Sequence, residues 1–152
     1  MGVVELGQVL GGLRLVFLDT MVFSYQLANH PRYAPLTTVV LEAVERGAPA
    51  GLTTALTLAE LLTVPAQAAD RSAMLDYELF LTHFPNLTLV PLDIPLARTA
   101  AEVRAETRLP LPDAVQIAAG RLGGIDAFLT NDREWSRRVV RPQVILLDDY
   151  LD

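Results

Sequence analysis

Residues 109–120 read LPLPDAVQIAAG, and the fold turns on how these twelve residues are read. Pro110 and Pro112 keep the backbone extended up to the second of them. A proline is tolerated in the first turn of a helix, where the N–H it lacks would have had no partner. Asp113 therefore falls in that first turn, and Val115, Ile117, Ala118 and Ala119 give the short helix an apolar side. One carboxylate stands at the mouth of a helix whose composition predicts burial. Such a charge must be neutralised or used.

Outward from this stretch, short apolar runs alternate with helical spacing. Residues 13–18 (LRLVFL) suit a strand covered on both faces, and Asp19-Thr20 ends it. Further strands are predicted at 50–53, 87–91, 127–130 and 144–147. Helices are predicted at 21–29, 35–46, 54–63 (ending near Pro65), 69–84, 95–107, 112–122 and 132–138. Residues 1–12 are glycine-rich and are expected to form a loose leader ahead of a single domain at 13–150. Strands alternating with helices imply right-handed crossovers, hence an α/β fold whose central sheet is mostly parallel with about four to five strands. In such sheets ligands bind beyond the carboxyl ends of the strands, where strand order reverses.

Composition narrows the chemistry. The chain has 152 residues, 51% of them hydrophobic, which suits one domain with a sizeable core. Apolar runs fall well short of the ~18 residues of a membrane span. The absence of cysteine removes disulfides, thiolate metal sites and a Cys nucleophile, and fits a reducing cytoplasm. All 12 basic residues are arginine, so a P-loop lysine, Schiff-base chemistry and a Ser–Lys pair are excluded. A net charge of −6 argues against non-specific nucleic-acid coating but leaves room for a local arginine patch.

Four acids lie just after predicted strands or in the helices that follow: Asp19, Glu60, Asp113 and Asp132. Each has a plain alternative. Asp19 and Asp132 are good N-cap residues, Thr57 and Glu60 have capping-box spacing, and Asp113 complements a helix dipole. Against these stands the apolar setting of Glu60 and Asp113, where a buried acid needs a partner. Close carboxylates with no lysine nearby raise one another's pKa values, and a divalent cation relieves the repulsion. Oxygen-only ligation selects Mg²⁺ or Mn²⁺ over zinc. His30 and His83 have no metal-like companion and are expected in loop or capping roles. Arg133, Arg137, Arg138 and Arg141 follow the last acid as a cluster suited to phosphate, or else as a solvated face balanced by Glu134. Arg98, Arg104 and Arg108 form a weaker second set.

The ordered set Asp19-Thr20, Ala59-Glu60, Leu111-Pro112-Asp113-Ala114 with Ile117-Ala118-Ala119, and Leu129-Thr130-Asn131-Asp132 resembles a PIN domain. It is most similar to the VapC toxins of VapBC toxin–antitoxin pairs, over about residues 13–147. The resemblance implies a three-layer α/β/α sandwich and Mg²⁺- or Mn²⁺-dependent endoribonuclease activity on RNA. It also implies inhibition by a VapB-like antitoxin and homodimer formation. By position, Asp19, Glu60, Asp113 and Asp132 match the acidic quartet, and Thr130 and Asn131 match its polar support. Trp135 stands where many relatives have Phe, and the segment before the first strand is longer than usual. Two alternatives are a catalytically idle PIN-type interaction module and an aspartate-based phosphotransfer domain. A receiver would need a lysine, and Thr20-Met21 after the first acid departs from the DxD pattern of a phosphatase.

Overall fold

A computed structural model describes residues 2–152. Among them five strands form one all-parallel sheet in the order β3-β2-β1-β4-β5. The strands are β1 (Leu15–Leu18), β2 (Ala50–Thr54), β3 (Leu87–Val90), β4 (Ala127–Thr130) and β5 (Gln143–Leu146). β1 is central because its residues have apolar partners on both faces. Val16 and Leu18 join one core, and Phe17 joins the other, edge-on to Phe128. The first core is closed by α1 (Gly2–Gly11), α2 (Thr20–Leu27), α3 (Ala34–Glu45), α4 (Ala55–Gln67) and α5 (Arg71–Thr82). The second is closed by α6 (Ile94–Thr107), α7 (Leu111–Gly123) and α8 (Arg133–Arg138). The result is the expected three-layer α/β/α sandwich, with the chain crossing from the β2–β3 side of β1 to the β4–β5 side through α6 and α7.

α7 lies close on β4. At Gly120 an added Cβ would stand 2.4 Å from Phe128 Cε1, so only glycine allows this approach. Gly124, left-handed at φ +69°, ends the helix.

Two expectations are corrected. The supposed loose leader is α1: Leu6 and Leu10 are fully buried and Val3 packs beside them, a helical i, i+3, i+7 stripe masked by the intervening glycines. α1 rests on α3 and on the C-terminal 3₁₀ turn, residues 147–150, and the Gly2 N–H donates to Asp152 Oδ1 at 3.0 Å. α4 also runs through Pro65 to Gln67. The missing N–H removes one ladder bond, but the proline is buried and Ala68 N–H still bonds Val64 O at 3.2 Å.

Candidate active site

Asp19 follows β1 directly; its N–H still bonds Leu129 O across the β1–β4 ladder at 3.0 Å. As N-cap of α2, its Oδ1 accepts the Thr20 N–H at 2.8 Å. Its Oδ2 accepts the Thr130 hydroxyl at 2.7 Å. Asp19 is nevertheless buried, and burial pushes its carboxyl up to about 6, with the charges of Asp113 and Glu60 adding to the rise and the two hydrogen bonds opposing it.

Asp113 is half-buried in the first turn of α7, as the sequence places it. Burial raises its pKa, and the charges of Asp132 and Glu60 raise it further. The indole of Trp135 faces it and favours its charged form. The buried Trp135 Nε1 has no hydrogen-bond partner of good geometry among the described residues. Asp132 is the N-cap of α8 and accepts the Glu134 N–H at 2.9 Å.

Glu60 departs from expectation: it is exposed. The buried stripe of α4 is Thr57, Leu61 and Pro65, which leaves residue 60 beside it. Nor do Thr57 and Glu60 form a capping box, because the N-cap is Thr54, whose Oγ1 accepts the Thr57 N–H at 3.4 Å. Glu60 Oε1 instead accepts the Thr20 hydroxyl at 2.8 Å.

The plain capping roles of Asp19 and Asp132 are thus real, and they coexist with electrostatic contact among all four acids. Asp19 feels Asp113 and Glu60; Asp113 feels Asp132 and Glu60. Among the described residues no arginine pairs with any of the four. Asp113 and Asp132 line one hollow of about 210 Å³, with Arg108, Glu134 and Arg138 at its rim. Glu60 lines a neighbouring one of about 190 Å³ with Thr20, Val64 and Tyr77. Among the described residues no three acidic or histidine side chains close up into a ready-made cation cage. The donor set is all-oxygen and strongly anionic, which fits a hard divalent cation in type and charge. The arrangement is an open array rather than a closed one.

Thr130 joins two acids: its hydroxyl donates to Asp19 and its oxygen accepts the Asp132 N–H at 3.1 Å. Asn131 turns elsewhere, its Oδ1 accepting the Asp148 N–H at 2.9 Å. Arg137 and Arg138 each pair with Glu134 at 2.8 Å, and Arg133 reaches Asp148 at 3.5 Å. The histidines lie apart; His30 Nδ1 accepts the Arg32 N–H and His83 Nδ1 lies by Leu79 O.

Sequence reading missed a buried polar cluster beneath Glu60. Gln116 of α7 is 1% exposed and meets Thr54 and Thr57. The signal was present, since a glutamine inside the apolar run VQIAA must find partners.

Acids at and near the carboxyl ends of a parallel sheet fit a nuclease and a phosphotransfer domain alike. The PIN domain family model matches residues 16–140, and the chain belongs to that family, a family of nucleases. This sets aside the phosphotransfer alternative. No curated protein matches the chain by sequence. Among solved structures, the chain is similar to "Crystal structure of VapBC2 from Rickettsia felis bound to a DNA fragment from their promoter", at TM-score 0.68 and 15% identity over 91% of this chain and 99% of that one. It is similar to "Toxin-antitoxin complex from Klebsiella pneumoniae" at TM-score 0.64 and 16% identity, covering 87% and 97%. It is also similar to "Crystal Structure of FitAcB from Neisseria gonorrhoeae" at TM-score 0.63 and 20% identity, covering 86% and 96%. No helix among the described residues is long and apolar enough to cross a membrane.

Proposed function

We propose that this chain is a VapC-type endoribonuclease that cleaves RNA with Mg²⁺ or Mn²⁺ and is the toxin of a toxin–antitoxin pair. The observation that carries this is the buried Asp19 carboxyl, raised to about 6 by burial and by the charges of Asp113 and Glu60, with no arginine paired to it among the described residues. An arrangement of that kind is costly for a scaffold and suited to holding a cation.

Asp19 and Asp113 would hold the cation directly, with Glu60 and Asp132 completing the set. When bound, it supplies Lewis-acid stabilisation of the charge that develops on the scissile phosphate. The rest falls to the chain. Thr130 fixes Asp19, and Thr20 fixes Glu60. Arg108 and Arg138, which line the hollow that holds Asp113 and Asp132, are candidates for binding RNA phosphates. Arg133 and Arg137 are further phosphate-binding candidates. A VapB-like antitoxin and a second copy of the chain are the proposed partners.

The test is cleavage of end-labelled RNA by the purified protein, with Mg²⁺, Mn²⁺ or EDTA, beside Asp113→Asn. Cation-dependent cutting lost in the variant supports the proposal. Undiminished cutting by Asp113→Asn removes the assignment. A folded protein that neither binds Mn²⁺ nor cuts RNA would instead be an idle interaction module.

A further inference from the structure

Beneath Glu60 lies a chain of hydrogen bonds that runs in one direction only. Thr54 Oγ1 accepts the Thr57 N–H at 3.4 Å, and its own hydrogen goes to Gln116 Oε1 at 2.5 Å. The Gln116 Nε2 then donates to Thr57 Oγ1 at 2.8 Å. Thr53 Oγ1, with one hydrogen to give, lies 2.9 Å from both Leu18 O and Thr57 Oγ1, and Thr57 Oγ1 lies 3.1 Å from Thr20 Oγ1. Thr20 donates its single hydrogen to Glu60 Oε1 at 2.8 Å, so Thr57 is the donor in the bond between Thr57 and Thr20. Thr53, Thr54, Thr57 and Gln116 are all buried. Water has little access to this inner part of the chain, where successive bonds polarise one another in the same sense.

We infer that Gln116 is a positioning residue, its amide setting the direction of the Thr54–Gln116–Thr57–Thr20 chain that orients Glu60. The inference rests on the nuclease reading of Glu60 given above. Were the amide turned over, its oxygen would face Thr57 and draw that hydroxyl's hydrogen away from Thr20. Among the described residues the exposed Glu60 has no other side-chain donor, so its place at the edge of the site depends on Thr20 being held. Gln116 lies three residues beyond Asp113 on α7, so one helix carries both an acid and the group that orients a second acid.

The experiment compares wild type, Gln116→Leu, Glu60→Gln and the double variant. Each is measured for kcat and KM on one RNA, for Mn²⁺ affinity by calorimetry without RNA, and for thermal unfolding. Residues that orient a metal-binding side chain typically contribute about 10- to 100-fold. Gln116→Leu should therefore lower kcat by that factor with KM little changed, and weaken Mn²⁺ binding in the same direction as Glu60→Gln. The double variant should be no slower than Glu60→Gln alone, because the effect passes through Glu60. Losses that multiply in the double variant overturn the inference. So does a folded Gln116→Leu with wild-type kcat beside an impaired Glu60→Gln. Full activity in Glu60→Gln overturns the reading of Glu60 itself. Should Gln116→Leu fail to fold, Thr57→Val cuts the chain between Gln116 and Thr20 at nearly constant volume and is measured in the same way. Wild-type kcat and Mn²⁺ affinity in that variant likewise overturn the inference.

Discussion

Asp19→Asn should make the protein more stable at neutral pH while removing its activity. The Asp19 carboxyl ordinarily titrates at 3.8 and is raised by burial to about 6 in the folded chain. Between those values the folded state holds a proton that the unfolded state has released. Folding stability therefore falls as pH rises from about 4 to about 6, then levels off. A shift of about two units corresponds to roughly 3 kcal/mol. Asparagine carries no charge, and its oxygen can still accept the Thr20 N–H. Its amide nitrogen replaces the oxygen that accepts from Thr130, a rearrangement costing about 1 kcal/mol. The net gain at pH 7.5 is about 2 kcal/mol, or a Tm increase of roughly 4–8 °C for a domain of this size. Thermal unfolding in EDTA, followed from pH 3.5 to 7.5, should show the gain near pH 7 and its disappearance near pH 4, where wild-type Asp19 is protonated. Added Mn²⁺ should raise the wild-type Tm and leave the variant unmoved. A variant less stable than wild type at pH 7.5, or a difference independent of pH, would refute the reasoning.

Three further outcomes are expected. Thr130→Val removes the hydroxyl that favours ionised Asp19; the pH at which the Mn²⁺-induced Tm increase is half lost should move upward, and an unchanged midpoint counts against that bond. Leu10→Ala, at a fully buried position of α1, should cost about 2–5 kcal/mol and lower the Tm by at least about 4 °C, whereas a silent substitution would mean that the helix is not part of the core. Arg138→Ala should reduce the salt dependence of RNA binding by about one counterion, because Arg138 lines the hollow containing Asp113 and Asp132; equal slopes in variant and wild type place RNA elsewhere.

Local signals carried most of the fold. The apolar runs at β1 and β4, the prolines before α7 and Gly124 after it each specify their element by short-range chemistry, and alternation then dictates parallel pairing. α1 escaped notice because glycines break up its stripe, and its apolar face makes sense only beside α3 and the last turn. The acids were legible as types at strand ends, but their surroundings were not. Glu60 looked buried in a linear reading, yet α4 rotates Thr57, Leu61 and Pro65 inward and leaves it outside. Thr57 looked like a cap and is an interior hydroxyl. Gln116 could be seen as out of place; its partners, on β2 and α4, lie about 60 residues back along the chain and only folding brings them together.

The pairing of β1 with β4 has a consequence for timing. The hydroxyl that steadies Asp19 is 111 residues further along the chain, and the strand bearing it is the fourth of five. A nascent polypeptide halted before that strand carries three of the four carboxylates and still lacks the neighbour on one side of β1. The carboxylate site should therefore be completed only once β4 has left the ribosome and taken its place beside β1.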